Sequence, residues 1–204
     1  MKKKLLYGIA LNDSETPISK SKRIKGKSVI LWTCPAYECW KGMLKRCYSD
    51  SYKSKHPTYE GCSVCDEWLY FSNFKEWYEN NSISNYHLDK DLLLRGNKTY
   101  SPDSCVFIHG DINKFLISGN SNGMLSGAHL RPDNGRFSAR CSNASSCKNE
   151  YLGQFDTEVE AHMAWAARKN EIAAMIASSD INMCERTRQA LLNIDFRQVK
   201  TSEG

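Results

Sequence analysis

Apolar side chains recur at helical spacing in two early stretches of the chain. Tyr37, Trp40, Leu44 and Cys47 share one stripe, with Lys41, Lys45 and Arg46 on other faces, which predicts an amphipathic helix. Phe71, Phe74, Trp77 and Tyr78 predict a second helix ending at Asn80-Asn81. Because they also share one stripe, these aromatics read as core and not as a base-stacking platform. Between the two helices, His56-Pro57 to Gly61 reads as a loop.

The period then changes. His87 to Leu94 predicts an extended run, Gly96 to Pro102 a turn-rich connection, Cys105 to Ile108 a second strand, and Asp111 to Ile117 a helix. Gly119-Asn120-Ser121-Asn122-Gly123 is polar and glycine-bearing, so it reads as a linker. After it, Arg136-Phe137-Ser138-Ala139-Arg140 alternates strictly. Arg136, Ser138 and Arg140 share one face, and Phe137 and Ala139 the other. Pro132-Asp133-Asn134-Gly135 is a hairpin-closing turn, and Tyr151-Leu152-Gly153 a short third strand. Thr157 with Glu160 forms a capping box. It opens a long helix whose Ala161, Ala164, Trp165, Ile172 and Met175 suit the apolar sheet face. A further helix, about Asn182 to Asn193, closes the chain, and there is no internal repeat.

Composition narrows the class. At 204 residues, 41% hydrophobic and 11% aromatic, the chain is globular and long enough for one large or two small cores. The formal charge of +5 is unevenly spread. Residues 1–30 carry Lys2, Lys3, Lys4, Lys20, Lys22, Arg23, Lys25 and Lys27 against only Asp13 and Glu15. Such an arm suits a polyanion, since phosphate contacts release counterions; a solvated tail is the plain alternative. The start, Lys2-Lys3-Lys4 followed by Leu5 to Leu11, imitates a secretory signal but runs into Asn12-Asp13-Ser14 without a clear cleavage site. No run is long enough to span a bilayer. Nine cysteines at irregular spacing, with one C-x-x-C pair (Cys62, Cys65), point to a reducing cytoplasm.

The candidate chemistry begins at Tyr86-His87-Leu88-Asp89-Lys90-Asp91, with Asn113 following after the next apolar run. A strand carboxylate and an amide at a helix start can reach one divalent ion from opposite sides. Cys62, Cys65 and Cys105 could hold a structural zinc, with Cys47 or His109 as fourth ligand; buried reduced thiols are the alternative.

Four stretches extend this picture: Trp40 to Tyr48, Val64 to Trp68, Leu88 to Asp91 and Tyr100 to Cys105. In that order they resemble phage-encoded HNH-type endonucleases, whose ββα-metal unit cleaves DNA. His87-Leu88-Asp89 also looks like the metal strand of phage junction-resolving endonucleases of that fold. The resemblance implies Asp89 and Asn113 as ligands of magnesium or manganese, which favour oxygen donors. Two positions depart from the family. Lys90 stands where the general-base histidine is usual, and Ser104 where an asparagine braces it. His87, His109 and Asp91 are the alternative bases, and a lysine base would need burial to lower its pKa.

A second resemblance covers 124–177, through Gly127, Gly135 to Arg140, Tyr151 to Thr157, Glu160-Ala161 and Ala164. These pieces are similar to the apetala-type (ethylene-response-factor) DNA-binding domain, a three-stranded sheet that lies in the major groove with a helix behind it. The resemblance implies by matching position that Arg131, Arg136, Arg140 and Tyr151 would face DNA, while Lys148 would suit the backbone.

The expectation is therefore an α+β protein: a ββα-metal (HNH-like) unit with flanking helices, then a three-stranded antiparallel sheet packed on an α-helix. Its parts would be a basic arm (1–30), a nuclease domain (31–118), a linker (119–123), a DNA-binding domain (124–178) and a closing helix and tail (179–204). The expected function is a metal-dependent, homing-type DNA endonuclease, cytoplasmic in a bacterial host, with double-stranded DNA as partner and no membrane. The alternatives are a catalytically degenerate DNA-binding or regulatory protein on the same scaffold and, more distantly, an interaction protein. Lys90 and Ser104 favour them.

Overall fold

The structure, a computed structural model, describes residues 5–117, 123–143 and 148–197. Lys2, Lys3 and Lys4 of the basic arm, and residues 119–122 of the expected linker, lie outside them. The fold is α+β, with small sheets and six α-helices among the described residues. It divides into two compact units, Met1–Phe107 and Ile108–Gly204.

Unit 1 opens with a segment tied to its core. Ala10 is fully buried, Leu11 N–H donates to the Leu69 carbonyl, and Phe71 N–H donates to Leu11. Next comes a hairpin, β1 (Ser19–Ile24) and β2 (Lys27–Thr33), so the basic arm carries regular structure. Helix α1 (Pro35–Tyr48) begins with proline in its first turn, where the missing N–H costs nothing. A single turn, α2 (Asp50–Lys53), follows. The expected loop from His56 to Gly61 contains a 3-10 turn at Pro57–Tyr59. Then come β3 (Ser63–Val64) and α3 (Phe71–Asn81).

Helices α1 and α3 bury the aromatic stripes that their spacing announced. Trp40, Phe71 and Phe74 are at most 1% exposed, and Trp40 Nε1 donates to the Trp68 carbonyl at 2.6 Å. A buried indole N–H thus has its acceptor, and Trp68 meets Phe74 edge-on at 5.0 Å.

Beyond α3 the order strand, loop, strand, helix appears: β4 (Tyr86–Asp89), β6 (Val106–His109) and α4 (Gly110–Leu116). β4 pairs with β6, while the short β5 (Thr99–Tyr100) between them runs parallel to β3. The extended run stops at Asp89 and does not reach Leu94, because the Asp89 carboxylate accepts from the N–H groups of Asp91 and Leu92 and closes a turn.

Unit 2 holds β7 (Ala128–Leu130), β8 (Phe137–Asn143) and β9 (Lys148–Phe155) in one antiparallel sheet, ordered β7-β8-β9. The third strand is longer than its Tyr151–Gly153 signal. Helix α5 (Glu158–Ser179) backs the sheet and carries both bonds of the capping box between Thr157 and Glu160. Ala128, Ala139 and Ala161 meet in the buried seam, where small side chains let the helix approach the strands. Ile172 is buried as expected, but Met175 is half exposed and Ile176 takes the inward position one residue later. Helix α6 (Glu185–Leu192) anchors through Leu191 and Thr187. No helix among the described residues is long and apolar enough to cross a membrane.

Candidate functional site

The sheet of unit 2 has two chemically distinct faces, set by strand register. Across β8 and β9, Cys141 faces Glu150 and Arg140 faces Tyr151, so these two pairs point to opposite sides. Glu150 is on the helix side, where Arg168 of α5 grips it through two bonds of 2.6 and 3.1 Å. Asn143 Nδ2 donates to the same carboxylate, and these bonds, Arg168 foremost, hold Glu150 down at about 2. Cross-strand alternation then puts Arg140 and Tyr151 on the outer face, where both are exposed.

A bulge makes this possible. Ala139 pairs with Gly153 but Arg140 pairs with Tyr151, so Leu152 is an extra residue on β9. Leu152 packs towards the core while Tyr151 stays outside. Gly153, at φ +127°, supplies a backbone conformation that a side chain would oppose.

The other expected contact residues differ in state. Lys148, at the start of β9, is exposed. Arg131 is clamped on Asp133 by bonds of 3.0 and 2.9 Å, and Arg136, just before β8, pairs with Asp156 at 3.0 Å. Arg140 has no acidic partner among the described residues. Ser142 and Asn149, cross-strand neighbours and both exposed, extend the outer face. Sequence alternation missed Asn149, because the expected third strand began only at Tyr151.

In unit 1, Asp89 ends β4 half-buried. Its Oδ1 accepts from Asp91 N–H at 3.0 Å and Leu92 N–H at 2.8 Å. Burial outweighs these bonds and raises its pKa above the usual carboxylate range. Oδ2 has no hydrogen-bond partner among the described residues.

Lys90 is 5% exposed, and its Nζ donates to Asp91 Oδ1 at 2.6 Å and to the Asn97 carbonyl at 2.8 Å. Asn97 returns a bond from its side chain to the Lys90 carbonyl. Two acceptors within the loop thus hold the Lys90 side chain in a structural role. Ser104 is equally structural, with its hydroxyl donating to the Thr99 carbonyl at 2.7 Å. His87 is exposed on β4. His109 caps α4 by accepting from Asp111 N–H. Asn113 lies half-buried on α4, in unit 2, whereas Asp89 belongs to unit 1.

The cysteines of the expected zinc site belong to the unit 1 core. Cys47, Cys62 and Cys105 are buried, and burial pushes the thiols of Cys47 and Cys105 up to about 12. Among the described residues no group of three or more His, Cys, Asp or Glu is gathered closely enough to hold a metal.

No protein-family model matches the chain, and comparisons with curated proteins and with solved structures return no match.

Proposed function

We propose that the chain is a DNA-binding protein that meets duplex DNA with the outer face of the β7-β8-β9 sheet. One observation carries this reading: Arg140 and Tyr151 are direct neighbours on the exposed face, and Arg140 is free of internal acids. A guanidinium in that state is available to guanine edges or phosphate, and the phenol ring beside it offers a flat apolar contact. Lys148, paired with Asn143, lies on the Glu150 side of the strand, so it would meet DNA only from the end of the sheet. Arg131 and Arg136 would join only by exchanging their carboxylates for phosphate.

The test is fluorescence anisotropy on duplex DNA. Arg140→Ala combined with Tyr151→Ala should weaken binding by roughly tenfold to a hundredfold. Equal affinity of the double variant and the wild type would remove the sheet from the interface.

A second reading, metal-dependent cleavage of that DNA, is favoured by the state of Asp89. A desolvated carboxylate with one unbonded oxygen is a natural ligand for magnesium or manganese, since the ion would offset the cost of burial. The expected result is metal-dependent nicking of plasmid DNA that Asp89→Asn abolishes. Undiminished nicking by Asp89→Asn would rule the reading out. The burial of Cys47, Cys62 and Cys105 in the unit 1 core supports reduced thiols there.

A further inference from the structure

The β1-β2 hairpin of unit 1 has an unusual surface. Every residue from Ser19 to Trp32 is exposed, including Ile30 at 67%, Leu31 at 62% and Trp32 at 43%. A two-stranded ribbon without a core to cover is marginally stable in water. This one is closed by a tight turn in which Lys25 and Gly26 both have positive φ, the pattern of a two-residue hairpin loop. Its base is fastened by Cys34 N–H donating to the Ile18 carbonyl. These features give the ribbon its shape but leave its surface uncovered.

Its charge says what would cover it. From Thr16 to Tyr37 the chain has five cations (Lys20, Lys22, Arg23, Lys25, Lys27) and no carboxylate. None of the five forms an ion pair among the described residues. The register pairs Lys20 with Trp32, Lys22 with Val29 and Ile24 with Lys27, so three lysines share one face with apolar partners. Lys20 Nζ lies 6.0 Å from the Trp32 ring. Arg23 is on the other face with Ser28, and Lys25 is at the tip. Between Trp32 and Ile30, Leu31 is an extra residue opposite the Lys20-Ser21 step, a bulge that re-aims it outward.

We propose that this ribbon is a second DNA-binding element, entering a groove of duplex DNA with Lys20, Lys22 and Lys27 against phosphates. Lys20 and Lys22, two residues apart on one strand, are spaced about 7 Å, about twice the axial rise per phosphate of a single strand. The major groove admits a two-stranded ribbon, and its thymine methyl groups give the exposed apolar side chains a partner. The proposal rests on the DNA-binding reading above but names a different surface, in the other unit.

The experiment uses the full chain and a short duplex across a salt series. Lys20→Gln, Lys22→Gln and Lys27→Gln together should make the slope of log affinity against log salt shallower by about 2 to 3, because three phosphate contacts are lost. Replacing the same three with arginine should keep the slope. Circular dichroism and melting of each variant confirm that it is folded. If wild type binds no DNA, the DNA reading itself fails. If wild type binds, Arg140→Ala weakens it and the glutamine triple variant keeps the wild-type slope, the ribbon assignment alone fails. Co-sedimentation with phosphatidylcholine–phosphatidylserine vesicles, lost in the triple variant while DNA binding is unchanged, would overturn it in favour of a membrane surface.

Discussion

Gly127→Ala should cost more stability than any other single-methyl addition considered for this fold. A Cβ at Gly127 would lie 2.0 Å from Cγ of Trp165, with Cδ1 and Cβ of the same side chain at 2.3 and 2.4 Å. Those atoms belong to a buried indole on α5, so they cannot swing away as the tip of a lysine would. The backbone adds its own penalty, since φ is +79°. Overpacking and left-handed strain together amount to roughly 2–5 kcal/mol, a large part of what a domain has to lose. Gly135→Ala is the control. It shares the positive φ, at +68°, but has open space around it, so about 1 kcal/mol is expected. Urea unfolding of the two variants should separate them clearly. Similar midpoints would mean that Trp165 is not seated against Gly127.

Lys169→Met should stabilise the protein near neutral pH and lose that advantage as the pH rises. Lys169 is 4% exposed on α5, with Nζ 3.8 Å from the centre of the Phe115 ring and 5.4 Å from that of Phe196. Trp165 completes the aromatic box, and Nζ donates to the Phe115 carbonyl near the end of α4. The titratable group facing it is Cys141 of β8, and no carboxylate is among the groups that act on it. Burial pulls the ammonium down to about 8 from its ordinary value of 10.5. The folded-state pKa is therefore depressed. Below pH 8 the lysine is charged in both states and the burial cost is fully present. Between 8 and 10.5 the folded protein releases the proton while the unfolded chain still holds it, so stability rises with pH.

The shift corresponds to roughly 3 kcal/mol, and methionine would recover about 1–2 of it after losing the bond to the Phe115 carbonyl and the ring contacts. Buried thiols work the opposite way in the same window: Cys47 and Cys105, raised to about 12, oppose unfolding less as alkali ionises them in the open chain. Only the difference between wild type and variant isolates Lys169. Stability curves for the pair at several pH values are the measurement. A gap that stays constant between pH 7 and 10 would show that this amine is not desolvated.

The two helices of unit 1 were legible because a helix burying one stripe writes that stripe every three to four residues. Thr157 and Glu160 marked the start of α5 for an equally local reason. Asp89 was legible as a strand-end carboxylate, but its turn with Asp91 and Leu92 depends on backbone groups that carry no residue code. Lys90 reads in the sequence only as a residue at the base position because its partners, Asp91 and the Asn97 carbonyl, meet it only after the loop folds back. The β9 register was hidden for a related reason. One extra residue, Leu152, decides which side chains reach the outer face, and a two-residue period contains no sign of it. The hairpin of the basic arm was missed because it buries nothing, so alternation between apolar and polar positions had no core to report.

If the sheet binds DNA as proposed, the carboxylates that hold Arg131 and Arg136 carry a consequence for selectivity. Each acts as a resident competitor: an incoming polyanion gains a guanidinium only by evicting an acid, which then stands close to it. Casual electrostatic contact is discouraged, and a ligand that fits both positions at once is rewarded. Titration with heparin, set against duplexes of varied sequence, should therefore find the Asp133→Asn, Asp156→Asn protein a stickier and less discriminating binder than its parent.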